Sequence, residues 1–168
     1  MRFHFQILFL FVVAISSSSL CAQSRIDCDA INAGEKASKY SNFLRAGLLS
    51  NDYGVLEKIA RALGHLARPG GAYTAELVEA EMTSAFEWLQ TDKQESRKLA
   101  AVLIIREMAK NSPTLVYGFI PQIFDVIWNG LKDPRDLIRK IAAEAVSACF
   151  EVMAARDSNF AEHWFKKV

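Results

Sequence analysis

Charge of neither sign dominates this sequence. Its 20 Lys and Arg residues face 19 Asp and Glu, for a formal net charge of +1. That balance gives no footprint of a nucleic-acid binder or of a protein held on an anionic membrane. Cysteine is scarce, with three in 168 residues, too few for a disulfide-built scaffold. Cys21 and Cys28 lie near the start, and Cys149 falls inside a helical pattern. Catalytic signatures are missing too. There is no glycine-rich phosphate loop, no His-Arg-Asp or Asp-Phe-Gly kinase signature and no Gly-x-Ser-x-Gly elbow. His65 and His163 stand far apart, and no His/Cys cluster has metal-ligand spacing. These absences predict a chain with no catalytic residues, metal site or cofactor of its own. No apolar run is long enough to span a bilayer.

Apolar residues are plentiful. Hydrophobic types make up 51% of the chain, enough for a sizeable core and too many for a disordered tail. The opening stretch stands apart. Arg2 and His4 form a short polar start, Phe5 to Ile15 is apolar except for Gln6, and Ser16 to Ser19 is a serine run before Leu20-Cys21-Ala22-Gln23-Ser24. This is the three-part layout of a secretory signal peptide over residues 1–24. Cleavage after Ala22 or Ser24 would suit the small-residue rule. A wrongly joined first exon on an intracellular protein is the alternative, and the remainder favours it. None of the six asparagines begins a glycosylation sequon, since Asn111-Ser112-Pro113 lacks the third residue.

From Glu35 onward the pattern is helical. Leu56, Ile59, Ala60, Leu63, Leu66 and Ala67 share one face. Val78, Met82, Ala85, Phe86 and Leu89 make a second stripe; Leu99, Val102, Leu103, Ile104 and Ile105 make a third, apolar on more than one side. Val116, Ile120, Ile123, Phe124, Ile127 and Leu131 form a fourth, and Ile138, Ile141, Ala142, Ala145, Cys149 and Val152 a fifth. A shorter piece from Ser38 to Leu49 precedes them, and Asn159 to Val168 begins a helix that the chain end cuts off.

Helix-start chemistry separates the stripes. Asp92 followed by Glu95 predicts an acidic cap with a reciprocating Glu. Asp133 before Pro134 predicts a cap and a proline in the first turn. Thr74 is expected to cap the helix through Leu77, and Pro69-Gly70-Gly71 to stop the one before it. Pro121 either kinks the fourth helix or starts it, leaving Pro113 to Gly118 as a separate turn. Asp52, Asp92 and Asp133 recur 40 and 41 positions apart, each followed six places later by a base: Lys58, Lys98 and Arg139. A two-helix unit of about 40 residues is the period of HEAT and armadillo arrays. The expected fold is therefore all-α, an α-solenoid of about three helix pairs over residues 35–168. The Asp and base at each junction are expected to hydrogen-bond between neighbouring repeats and stabilise their stacking.

Several ordered strings are more specific than the repeat. Ala60 to Ala67, Tyr73 to Glu81, Glu87-Trp88-Leu89, Arg97 to Leu103, Pro113-Thr114, Asp133-Pro134, Ile138-Arg139 and Ala142 to Ala145 resemble the N-terminal HEAT region of the target-of-rapamycin (TOR) protein kinases. The likeness runs from about Ala37 to Val168. Chains of that family are an order of magnitude longer, with their kinase parts far downstream, and residues 1–23 do not fit its pattern. The resemblance implies a fragment of a TOR-like solenoid: a cytoplasmic interaction scaffold, nuclear or endomembrane-associated in some members. It would engage Raptor-like or Rictor-like subunits, other parts of the TOR chain and a small activating GTPase. A used signal segment would instead make the chain a secreted, stand-alone helical binding protein.

Single residues read mostly as structure. Cys149 shares an apolar stripe and is expected to be a buried small hydrophobe. His65 is expected to be a partly buried helix residue. Trp88 and Trp128 adjoin apolar stripes and are read as core, with interface anchoring as the second reading. Phe160, Trp164 and Phe165 have no following helix to cover them in this chain and are expected to make it sticky.

Overall fold

The computed structural model describes residues 34–156. The signal-like segment, Cys21, Cys28, His163 and the terminal stretch with Phe160, Trp164 and Phe165 lie outside the described residues. Within them the chain is all helix and turn, with six helices: α1 (Gly34–Gly47), α2 (Tyr53–Leu66), α3 (Ala72–Thr91), α4 (Glu95–Asn111), α5 (Ile120–Leu131) and α6 (Asp136–Arg156). A helical turn at Pro113–Val116 and a 3₁₀ turn at Tyr117–Phe119 join α4 to α5.

The helix starts follow local chemistry, not always as the sequence suggests. Asp52 caps α2, its carboxylate accepting from the Gly54 and Val55 N–H groups. Pro121 sits in the first turn of α5, where its missing N–H costs nothing, and Pro113 to Phe119 is the separate turn. Gly70 and Gly71 adopt φ of 82° and 92°, which a side chain would strain. Three expected caps differ. Asp92 ends α3 and accepts from Gln94 N–H at 2.8 Å, so the cap of α4 is Gln94 and Glu95 lies in the first turn without reciprocating. Asp133 bonds the Arg135 N–H at 3.1 Å, closing a turn that holds Pro134 just outside α6. Thr74 lies inside α3, buried, and its hydroxyl donates to Gly70 O at 2.8 Å.

The helices pair α1 with α2, α3 with α4 and α5 with α6. The recurring Asp turns therefore lie within pairs, because those short turns force each helix back along its predecessor. Pairs stack through their second helices: α4 packs between α2 and α6, while α3 packs on α5. Every residue from Leu99 to Ala109 is buried, including Arg106 and Glu107. A helix apolar nearly all round must be covered on every side, and α4 is covered by α2, α3 and α6. Two glycines let backbones close in. A Cβ at Gly64 would lie 2.7 Å from Asn111 Nδ2 and 3.1 Å from Glu107 O; one at Gly130 would lie 3.1 Å from Val102 Cγ1 and 3.2 Å from Ala142 Cβ.

Candidate functional site

The second helices of the three pairs share one exposed face. Between α4 and the third pair, Lys98 meets Asp133, three residues before α6, and Arg106 meets Glu144 on α6. Along α2 and α4, Glu57 meets Arg106 and Arg68 meets Asn111. Both series advance together, so the three helices run parallel. A polar groove of about 610 Å³ crosses them, bounded by Tyr53 to Arg68 of the first, Arg106 to Asn111 of the second and Leu137 to Glu144 of the third.

Arg106 forms the groove floor. Only 4% exposed, it donates Nη1 to Glu144 Oε2 at 2.7 Å and Nε to Glu107 Oε1 at 2.9 Å, and its Nη2 lies 3.5 Å from Glu57 Oε1. Burial alone would lower its pKa; the Glu144 and Glu107 carboxylates outweigh that and raise it. Glu57 also accepts from Arg61 at 2.9 Å. One buried cation thus ties all three helices together. Burial, helped by the neighbouring Arg68, holds the exposed His65 below its ordinary value, so the ring is neutral at pH 7. Sequence reading singled out neither Arg106 nor its partners. The signal was an Arg-Glu pair inside a run apolar on every side.

The predicted junction residues fall in three places. Asp133 is 1% exposed and accepts from Lys98 Nζ at 3.3 Å and from Arg135 Nε at 2.9 Å. Arg139 turns back to the Asp133 carbonyl at 2.7 Å and to Asp136, while Arg135 reaches Glu95 at 2.9 Å. Asp92 pairs with Arg97 at 2.9 Å. Asp52 caps its own helix, six residues before Lys58. The structure brings a base of one pair to the Asp of the next at Lys98–Asp133.

Burial opposes the Asp133 charge, but the Arg135 N–H, the Arg135 guanidinium and Lys98 outweigh it and hold the carboxyl below its ordinary 3.8. A depressed folded pKa means stability present above the unfolded value and lost as pH falls through the folded one. Asp133→Ala should cost about 1–2 kcal/mol in denaturant melts at pH 7, and less below pH 4. Glu81 behaves oppositely. Burial pushes its pKa above 4.5, with Arg45 of α1 pulling back. Its raised folded value makes stability fall as pH rises from 4.5 through that value. Glu81→Gln should flatten this fall, and an unchanged slope in melts across that window would contradict the assignment.

Trp88 is half-buried against the core, whereas Trp128 is 44% exposed on α5. Cys149 is fully buried, and burial pushes its thiol up to about 12, so it stays protonated and unreactive. Among the described residues no group of His, Cys, Asp and Glu is placed to hold a metal, and no helix is long and apolar enough to cross a membrane.

Paired helices stacked through parallel second helices, with a charged network crossing them, define a helical-repeat segment of HEAT type. A HEAT-like repeat family matches residues 95–148. The chain is 48% identical over 131 residues, 78% of its length, to serine/threonine-protein kinase tor1 of Schizosaccharomyces pombe. It is 41% identical over 144 residues, 82% of its length, to serine/threonine-protein kinase TOR of Arabidopsis thaliana. With serine/threonine-protein kinase TOR2 of Saccharomyces cerevisiae it shares 36% identity over 141 residues, 79% of its length. The chain is homologous to the TOR kinases over a HEAT-repeat region. It spans about 6% of the length of each of these relatives.

Proposed function

We propose that this chain serves as a protein-interaction scaffold in a TOR-type kinase assembly, and that phosphotransfer belongs to regions outside the matched stretch. The observation that carries this is the 48% identity to a TOR kinase across 131 residues, joined to a repeat fold that spends its charged residues on holding helices together. Its partners would be Raptor-like or Rictor-like subunits and neighbouring parts of a TOR chain, in the cytoplasm. In this reading Asp52 with Lys58, Asp92 with Lys98, and Asp133 with Arg139 set repeat stacking. The Lys98–Asp133 ion pair supports that role. Trp128, exposed on α5, is an interface anchor, and Trp88, on α3, a core residue.

Capture by the purified chain tests the scaffold role. It should retain purified Raptor-like or Rictor-like subunit on beads, and Trp128→Ala should weaken retention by several-fold. Retention of neither subunit at micromolar concentration would contradict the proposal. Calorimetry with ATP should show no saturable heat; a saturable isotherm would make the chain more than a scaffold.

A further inference from the structure

The groove across α2, α4 and α6 has more charge than its own pairing needs. Five cations and three carboxylates line it. All three carboxylates turn to the floor: Glu57, Glu107 and Glu144 converge on Arg106. Lys110 and Lys140 are exposed, and their side chains, among the described residues, make no hydrogen bond or ion pair. We infer that this groove docks an acidic peptide segment of a partner protein, whose carboxylates meet Lys110 and Lys140. The inference rests on the scaffold reading above and names the chemistry of one partner.

Spacing follows from the parallel helices. Lys110 lies four residues beyond Arg106, and Lys140 four residues before Glu144, on opposite sides of the Arg106–Glu144 pair. At 1.5 Å of rise per residue the two positions are offset by about 12 Å along the helix axes, and with about 9 Å between neighbouring axes they stand roughly 15 Å apart. An extended chain advances about 3.3 Å per residue, so acidic residues about four to five apart would reach both. The open, shallow charged floor suits a backbone lying across three helices rather than a single enclosed anion. Rim charges act through long-range attraction and are weakened by salt.

The probe is a fluorescein-labelled peptide of repeated Glu-Gly-Gly-Gly, titrated with the full chain and read by anisotropy. Saturable binding is expected, weakening as salt rises. The Gln-Gly-Gly-Gly peptide should bind at least tenfold more weakly, as should the Lys110→Glu/Lys140→Glu variant. Lys110→Met/Lys140→Met should lie between. Both positions are exposed, and circular dichroism should match the parent. Equal binding of the Gln peptide, or of the charge-reversed chain, overturns the inference. So does binding of anionic vesicles or of single-stranded DNA through these lysines while the Glu peptide is refused. Failure of the peptide with subunit capture intact overturns this inference alone; failure of capture overturns the scaffold reading.

Discussion

Arg106→Ala should destabilise the fold by about 3 kcal/mol at pH 7, more than most single substitutions in the chain. The guanidinium is 4% exposed and answers three carboxylates from three helices. Truncation leaves Glu107, whose side chain is 9% exposed, as a buried charge without its counter-ion. Breaking a buried pair costs about 3–5 kcal/mol. The low end applies because the Glu57 and Glu144 side chains, 25% and 40% exposed, regain water. Arg106→Lys should recover only part, since one ammonium cannot contact three carboxylates with the reach of a planar fork. The loss should shrink in acid as the stranded carboxylates take up protons. Removing Arg106 and Glu107 together, with apolar residues of similar volume, should cost far less than Arg106→Ala alone. Urea melts at pH 7 and pH 4 read all four expectations. A loss under about 1 kcal/mol at pH 7 would mean the cluster is solvated and does not tie the helices.

Gly64→Leu should cost about 3 kcal/mol through overpacking where α2 lies close against α4. A Cβ there would meet Asn111 Nδ2 at 2.7 Å and Glu107 at both Cβ and the carbonyl oxygen, each at 3.1 Å. Asn111 could swing aside, but it accepts from Arg68 at 2.6 Å and donates to Glu107 O at 2.7 Å, so moving it breaks the strap between the helix ends. The carbonyl belongs to the α4 backbone and cannot step away without shifting the central helix. Gly64→Ala is the instructive control. Alanine gains about 1 kcal/mol of helix propensity over glycine, but its Cβ meets those same atoms, so that variant should still lose stability, by clearly less than Gly64→Leu. Thermal melts of the two variants test the argument. Equal stability of Gly64→Leu and the parent would mean the helices are not this close.

The helical stripes were legible because burial on one face repeats every 3.6 residues. All six residues of the stripe from Ile138 to Val152 are buried. The turn chemistry was only partly legible. Asp52, Asp92 and Asp133 each accept from the N–H two residues on, but only Asp52 is followed at once by its helix, whereas α4 and α6 begin three residues after Asp92 and Asp133. Which helices pair is a property of turn length and packing, so the 40-residue recurrence revealed the period and not the partnering. Arg106 was the hardest to read. Its partners Glu57 and Glu144 lie on other helices, and nothing local to it distinguishes a buried cation from a solvated one. The apolar run around it was the available warning, because a helix covered on all sides has to pair its charges.

Replacing the matched stretch of the Schizosaccharomyces pombe kinase with residues 37–156 of this chain tests the central claim most directly. Immunoprecipitates of the chimera should contain its complex subunits at near-parental stoichiometry and retain kinase activity, and Trp128→Ala within the graft should reduce the subunits without reducing the kinase chain. A chimera that accumulates at parental levels, is helical and active as an isolated kinase, yet recovers none of its subunits would contradict the reading of this segment as an interaction scaffold.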